Sequence, residues 1–169
     1  MTRSPLASQT SLFASDNAPL KPVNSSAQKA ISAPAEITAY CDGGARGNPG
    51  PSGYGVYITD NKGEALAELS EFLGIRTNNY AEYSGLLAAL EFALRYEHLS
   101  LRVVSDSELM VKQIKGQYKV KSPDLRPLYD EANRRIAGLA SFRIEHVLRN
   151  KNKQADRLAN LAMDKGMGR

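Results

Sequence analysis

EITAYCDGGARGNPGPSGYGVYIT, residues 36–59, reads as two strands around a glycine-rich turn, with an acidic residue where the first strand ends. From Glu36 to Asp42 the side chains alternate. Ile37, Ala39 and Cys41 take one face, and Thr38, Tyr40 and Asp42 take the other. Residues Gly43 to Gly53, rich in Gly and Pro, predict a loop. Tyr54–Thr59 is a second strand. Asp60-Asn61-Lys62-Gly63 is a hairpin turn signal, and residues 64–74 give a third strand.

Working outward, Asn78 or Asn79 is placed to cap a long helix whose inner stripe is Tyr83, Leu87, Leu90 and Leu94. Leu101–Ser105 is a short apolar run of the buried-strand kind. Ser107 opens a helix ending near Gly116, and Lys115–Ser122 is a basic, polar loop. Ser122-Pro123 predicts a helix start, with Pro at the first helical position, running to about Ile136. Phe142–Val147 is a last strand. Asn152 then caps a final helix lined by Ala155, Leu158, Ala159 and Ala162. Three hairpin-linked strands followed by strand–helix units predict an α/β fold. Its five-stranded mixed sheet is flanked by helices, with the first, fourth and fifth strands as parallel neighbours. Ligands in such sheets gather at the carboxyl ends of the strands.

Composition narrows the chemistry. The 169 residues include one cysteine, Cys41, and two histidines, His98 and His146. A disulfide framework and thiolate or imidazole metal sites are therefore disfavoured, and any metal would sit on oxygen ligands, as Mg²⁺ or Mn²⁺ does. By alternation Cys41 points away from Asp42, as a small core residue. No apolar run approaches the roughly 20 residues needed to cross a bilayer, so no membrane is expected as a partner. Residues 1–35 hold seven Ser, seven Ala and four Pro, with large apolar residues at no sustained period. Such a stretch predicts a disordered tail. It lacks the apolar core of a secretory signal. It is Ser-rich and acid-poor, as organellar transit peptides are, yet Arg3 is its only arginine. The expectation is a cytoplasmic monomer whose folded domain spans residues 36–169. The net charge is +4, of which the tail carries +2, so contact with a polyanion would depend on local clustering.

Four carboxylates fall where chemistry is usually built. Asp42 ends the first strand, and Asp106 follows the fourth. Glu82 lies early in the long helix, and Asp156 early in the last one. Each has a plainer role available. Asn79-x-x-Glu82 resembles a capping box, Asp106 could serve the helix opened by Ser107, and Asp156 could be a surface charge. Brought together, the four would repel strongly, and protonation or bound cations would have to relieve that. At neutral pH a pair of divalent ions is the natural answer.

These residues lie in motifs. Tyr40 to Gly55 (YCDGGARGNPGPSGYG) resembles the opening motif of type 1 ribonuclease H, as do Thr77-Asn78-Asn79-Tyr80-Ala81-Glu82 and Val104-Ser105-Asp106-Ser107. Arg149 to Ala159 (RNKNKQADRLA) is similar to the family's last motif. The four occur in the family order and span the whole region after the tail. The resemblance implies a ribonuclease H-like fold. It also implies an endonuclease that hydrolyses the RNA strand of RNA–DNA hybrids to 5′-phosphate and 3′-hydroxyl ends. The implied cofactor is two Mg²⁺ ions, with Mn²⁺ as a substitute, held by Asp42, Glu82, Asp106 and Asp156. Asn48, Asn78 and Asn79 match positions that contact the hybrid in its minor groove, where amides can read 2′-hydroxyls. A turn Asn before Pro49 and two helix caps are their plainer reading. Arg46 and Thr77 are candidate phosphate contacts.

Three positions depart from the pattern. Glu108 stands where many relatives carry Gln, which places a negative charge near the expected phosphate path. The basic protrusion of many bacterial relatives is reduced here to Lys115, Lys119 and Lys121 with Tyr118. The loop His that assists product release in many relatives has two candidates. His146 is expected part-buried on the last strand. Arg149 matches the branch in which Arg replaces that His, and it is the favoured catalytic partner. A hybrid-binding module without catalysis is the first alternative function, and four clustered acids facing phosphates argue against it. An ATP-handling domain of the actin or sugar-kinase type is the second, and it needs two such lobes where this chain supplies one.

Overall fold

The computed structural model describes residues 34–169, so the tail reading of residues 1–35 lies almost wholly outside the described residues. Strands β1 (Ile37–Ala45), β2 (Gly50–Thr59) and β3 (Ala65–Arg76) form an antiparallel meander. Helix α1 (Asn78–Arg95) leads to β4 (Ser100–Ser105). Helices α2 (Glu108–Ile114) and α3 (Arg126–Ala137) then lead to β5 (Ser141–His146). A 3-10 turn at Arg149–Lys151 precedes α4 (Lys153–Gly166). The sheet order is β3-β2-β1-β4-β5, with β1, β4 and β5 parallel, as the hairpin and crossover pattern predicts. Among the described residues no helix is long and apolar enough to cross a membrane.

Alternation along the central strands divides the packing. Ile37, Ala39, Cys41, Val56, Ile58, Leu101 and Val103 meet Tyr83, Leu86, Ala89 and Leu90 of α1, with Leu125 and Ala132 beside α3. The inner face of α1 is therefore centred on Leu86, Ala89 and Ala93 as well as Tyr83 and Leu90, while Leu87 and Leu94 are only half-buried at its margin. Helix α4 crosses the opposite face, over β2 and β1. It buries the expected stripe of Ala155, Leu158, Ala159 and Ala162.

Two glycines seat the helices. A Cβ at Gly43 would overlap the backbone of Ala81 and Glu82, and one at Gly55 would overlap the backbone of Ala155 and Ala159. Gly43 thus lets α1 approach β1, and Gly55 lets α4 lie flat on β2. The segment predicted as a loop from Gly43 to Gly53 is for that reason mostly sheet. Gly43, Gly44 and Ala45 pair with Tyr54, Gly53 and Ser52, and only residues 46–49 remain as the turn. Substituting Gly55 with Ala is expected to cost on the order of 3 kcal/mol, because backbone rather than a mobile side chain stands in the way. The urea midpoint of the purified variant checks this.

Two helix starts differ from the expectation, and at a third the expected residue holds the cap position without capping. Thr77, not Asn78 or Asn79, caps α1: its extended backbone (φ −82°, ψ 162°) lets Oγ1 accept the Tyr80 N–H at 3.1 Å. Asn78 is already helical and spends its side chain elsewhere, so the capping box ending at Glu82 is absent. Helix α3 begins at Arg126, with Pro127 in its first turn. The carbonyl of Ser122 closes a preceding turn by accepting from Leu125 and Arg126. Asn152 does occupy the cap position of α4, but its side chain makes no capping bond. Ser107 caps α2 as expected, accepting the Met110 N–H at 3.3 Å.

Candidate active site

Each acidic residue arrives on a different element. Asp42 stands in β1 opposite Gly55, and its Oδ1 accepts the N–H of Gly43 at 2.9 Å. Cys41 of β1 pairs with Ser105 of β4, so the next residue along each parallel strand, Asp42 and Asp106, emerges at the same end of the sheet. Ser105 Oγ accepts the Ser107 N–H at 3.1 Å, which fixes the turn carrying Asp106. Glu82 opens the second turn of α1, brought beside β1 by the Gly43 contact. Asp156 lies in the first turn of α4.

The outcome is one cleft of about 320 Å³ lined by all four carboxylates, with Arg149 at its side. One carboxylate oxygen from each of Asp42, Glu82 and Asp106 lies within 4.8 Å of the other two. Asp156 borders this trio, and its Oδ1 accepts from the Arg149 guanidinium at 3.2 Å. Asp42 is 8% exposed. Burial first, and then the charges of Asp106 and Asp156, push its carboxyl up to about 8. Glu82 is also held well above the usual carboxylate range, by burial and by Asp42 and Asp106. Its Oε2 is buried without a hydrogen-bond partner.

An orphaned, buried acceptor among crowded carboxylates fits a hard divalent cation. It would supply the missing partner and cancel the repulsion. Asp42, Glu82 and Asp106 could hold such an ion directly, and Asp156 lines the same cleft. Cys41 is fully buried and, as expected, belongs to the core. Burial and the charges of Glu82 and Asp42 push its thiol up, away from nucleophilic use.

The flanking residues form a frame on one side of the cleft. Asn48 Oδ1 accepts the Asn78 N–H at 3.1 Å, and Asn78 Oδ1 accepts the Ala45 N–H at 2.7 Å. The 46–49 turn, the start of α1 and the end of β1 are thereby tied together. Asn48, Asn78 and Asn79 are all exposed. Thr77 serves as the cap described above. Arg46 turns inward to α4, where it pairs with Asp164 and lies 3.4 Å from Asn160 Oδ1. Glu108 is answered by Lys112 at 2.6 Å, one turn along α2, and Lys112 also lies over the Tyr118 ring at 4.9 Å. The extra negative charge near the cleft is therefore paired within its own helix. Lys115, Tyr118, Lys119 and Lys121 are exposed on the following loop.

His146 ends β5 and is exposed, not part-buried as its place in the strand alternation predicts, because the strand stops there and its neighbours on that face run out. It is not among the residues lining the cleft, whereas Arg149 is. His98 is half-buried, stacked parallel to Phe92 with ring centroids 5.8 Å apart. The sequence reading assigned Asn152 to capping. Its side chain instead reaches the Cys41 carbonyl and Asp106 Oδ1, and the available signal is its place four residues before Asp156.

Comparison with known proteins gives a consistent picture. The family described as reverse transcriptase-like matches residues 40–162. Ribonuclease HI of Halobacterium salinarum is 40% identical over 128 residues, covering 76% of this chain and 64% of the relative. The N-terminal RNase H domain of Rv2228c from Mycobacterium tuberculosis superposes with a TM-score of 0.77 at 41% identity, covering 79% of this chain and 97% of that one. LC11-RNase H1, solved in complex with an RNA/DNA hybrid, gives a TM-score of 0.73 at 43% identity, covering 78% and 99%. The chain spans about a third of the length of the curated mycobacterial relatives that it matches at 44% identity.

Proposed function

The chain belongs to the ribonuclease H family, and from that premise we propose that it is an endonuclease hydrolysing the RNA strand of RNA–DNA hybrids, leaving 5′-phosphate and 3′-hydroxyl ends. The observation that carries the reading is the convergence of Asp42, Glu82 and Asp106 oxygens within 4.8 Å, with Glu82 Oε2 buried and unpartnered. A catalytically idle binder of nucleic acid would gain nothing from such a cluster, since it repels phosphate. The hybrid bound to LC11-RNase H1 supports the choice of substrate.

Asp42, Glu82, Asp106 and Asp156 are the residues that would hold the metal, Mg²⁺ or Mn²⁺. When bound, the ions supply a water nucleophile at neutral pH and charge neutralisation at the scissile phosphate. The chain does the rest. Asn48, Asn78 and Asn79 present exposed amides on a braced frame, suited to hydrogen-bonding 2′-hydroxyls across a minor groove. Thr77, next to them, is suited to a phosphate. Arg46 reaches a phosphate only by exchanging its bonds to Asp164 and Asn160. Arg149, exposed at the mouth of the cleft, can trade its ion pair with Asp156 for a phosphate oxygen, the role that a loop His takes in other branches of the family. A cytoplasmic monomer meeting hybrid duplexes is consistent with this chemistry.

The full chain, incubated with labelled RNA–DNA hybrid, duplex RNA and duplex DNA across a Mg²⁺ titration, is expected to cut only the RNA of the hybrid, and nothing in EDTA. Cleavage that persists in EDTA, or equal cleavage of duplex RNA, rejects the proposal.

A further inference from the structure

We propose that Asn152 is the positioning residue of the carboxylate cluster, a single buried amide that spaces three of the four acid-bearing elements; this rests on the metal-dependent reading above. Asn152 is 1% exposed. Its Nδ2 donates to the Cys41 carbonyl at 2.8 Å, the peptide group that leads directly into Asp42. The same nitrogen lies 3.4 Å from Asp106 Oδ1. Its own backbone carbonyl accepts the Asp156 N–H at 3.1 Å. One residue thus links β1 at Asp42, the turn after β4 at Asp106, and the first turn of α4 at Asp156.

Two observations separate this role from ordinary packing. Asn152 stands where a helix cap belongs, yet its side chain does not cap α4. Its Oδ1 is buried and unpartnered, a penalty that an apolar side chain of the same size would not carry. The amide is therefore retained at a stability cost, and what it does touch is the carbonyl just before Asp42 and the side chain of Asp106. By engaging Asp106 Oδ1 it restrains the rotation of that carboxylate. By holding the Cys41 carbonyl it sets the distance from α4 to β1, as groups behind metal ligands commonly do.

Two substitutions in the full-length chain test this. Asn152→Leu keeps the volume and removes the amide. Asn152→Ser supplies a better cap for α4 but cannot span to Cys41 and Asp106. Titration calorimetry with Mn²⁺ alone, thermal melts, and kcat and KM on a hybrid are measured for both variants and for the wild type. Both variants are expected to lose 10- to 100-fold in Mn²⁺ affinity and in kcat, with KM within about twofold and the cooperative melt retained. A folded variant with wild-type Mn²⁺ affinity and kcat overturns the proposal, and so does failure of both variants to fold, which makes the amide a requirement of the fold. If the wild type itself neither binds Mn²⁺ nor cleaves, the functional reading falls and this one with it. A cleaving wild type beside unaffected variants sinks the role of Asn152 alone.

Discussion

Asp106→Asn is expected to lower hybrid cleavage at least about 1,000-fold while raising the melting temperature of the metal-free chain by a few degrees. A metal ion contributes several kcal/mol of transition-state charge stabilisation, and about 4 kcal/mol corresponds to a thousandfold in rate. Asp106 is one of three carboxylates whose oxygens share a site, so the loss of its charge removes a ligand that no neighbour replaces. The substitution keeps the shape, and the new amide oxygen can still accept from Asn152 Nδ2, which lies 3.4 Å from Asp106 Oδ1. The stability gain has a separate cause. Asp106 is the leading charge that pushes Asp42 upwards, after burial. Removing it relieves repulsion in the metal-free state, and each kcal/mol is worth about 4 °C in a domain of this size. Activity assays and melts in EDTA read the two effects independently. Normal turnover by a folded Asp106→Asn protein would refute the assignment of the site.

The second large effect is on stability against pH. Unfolded Asp and Glu titrate near pH 4, whereas folded Asp42 titrates at about 8 and Glu82 is also raised. Between these limits the native chain holds protons that the unfolded chain has released. On account of Asp42 stability therefore falls as pH rises from about 4 to about 8, and Glu82 acts in the same direction. Each unit of elevation is worth about 1.4 kcal/mol, so a drop of several degrees in melting temperature from pH 5 to pH 8 is expected in EDTA. Glu36 and Glu145 act in the opposite direction. Their pairing with Arg143 and Arg102 holds their carboxyls low, and that contribution is lost only as the pH falls below about 4.5. Saturating Mg²⁺ competes with the protons and is expected to remove most of the alkaline loss, and Mn²⁺ affinity should climb with pH up to about 8. A metal-free chain whose melting temperature rises between pH 5 and pH 8 contradicts this account of Asp42.

Much of this was legible in the residues. Period-two alternation marked β1, the Asp60–Gly63 turn marked the β2–β3 hairpin, and helical crossovers implied that β1 and β4 run side by side. That last step places Asp42 beside Asp106. The helix-borne acids were harder to position, because Gly43 and Gly55 look identical, as letters, to the glycines of a flexible loop. Only the packed helices reveal them as seats. The cap of α1 was missed by one residue since Thr77, Asn78 and Asn79 are all good caps, and the choice depends on Asn78 being engaged by Ala45, 33 residues away. The start of α3 shifted because Pro123 and Pro127 both suit a first turn. The pairing of Glu108 with Lys112 follows from their spacing alone. The pairing of Arg46 with Asp164 does not, since only the sheet brings them together.

Helix α4 is the last described element, yet it lies over β1 and β2, brings Asp156 to the cleft and sets the Asn152 amide against Cys41 and Asp106. During synthesis, then, every earlier strand and helix can emerge from the ribosome before the fourth carboxylate and the amide are present. A nascent chain stalled before Asn152 would carry Asp42, Glu82 and Asp106 without the fourth carboxylate or the amide, and under the proposed function cleavage would wait until α4 docks.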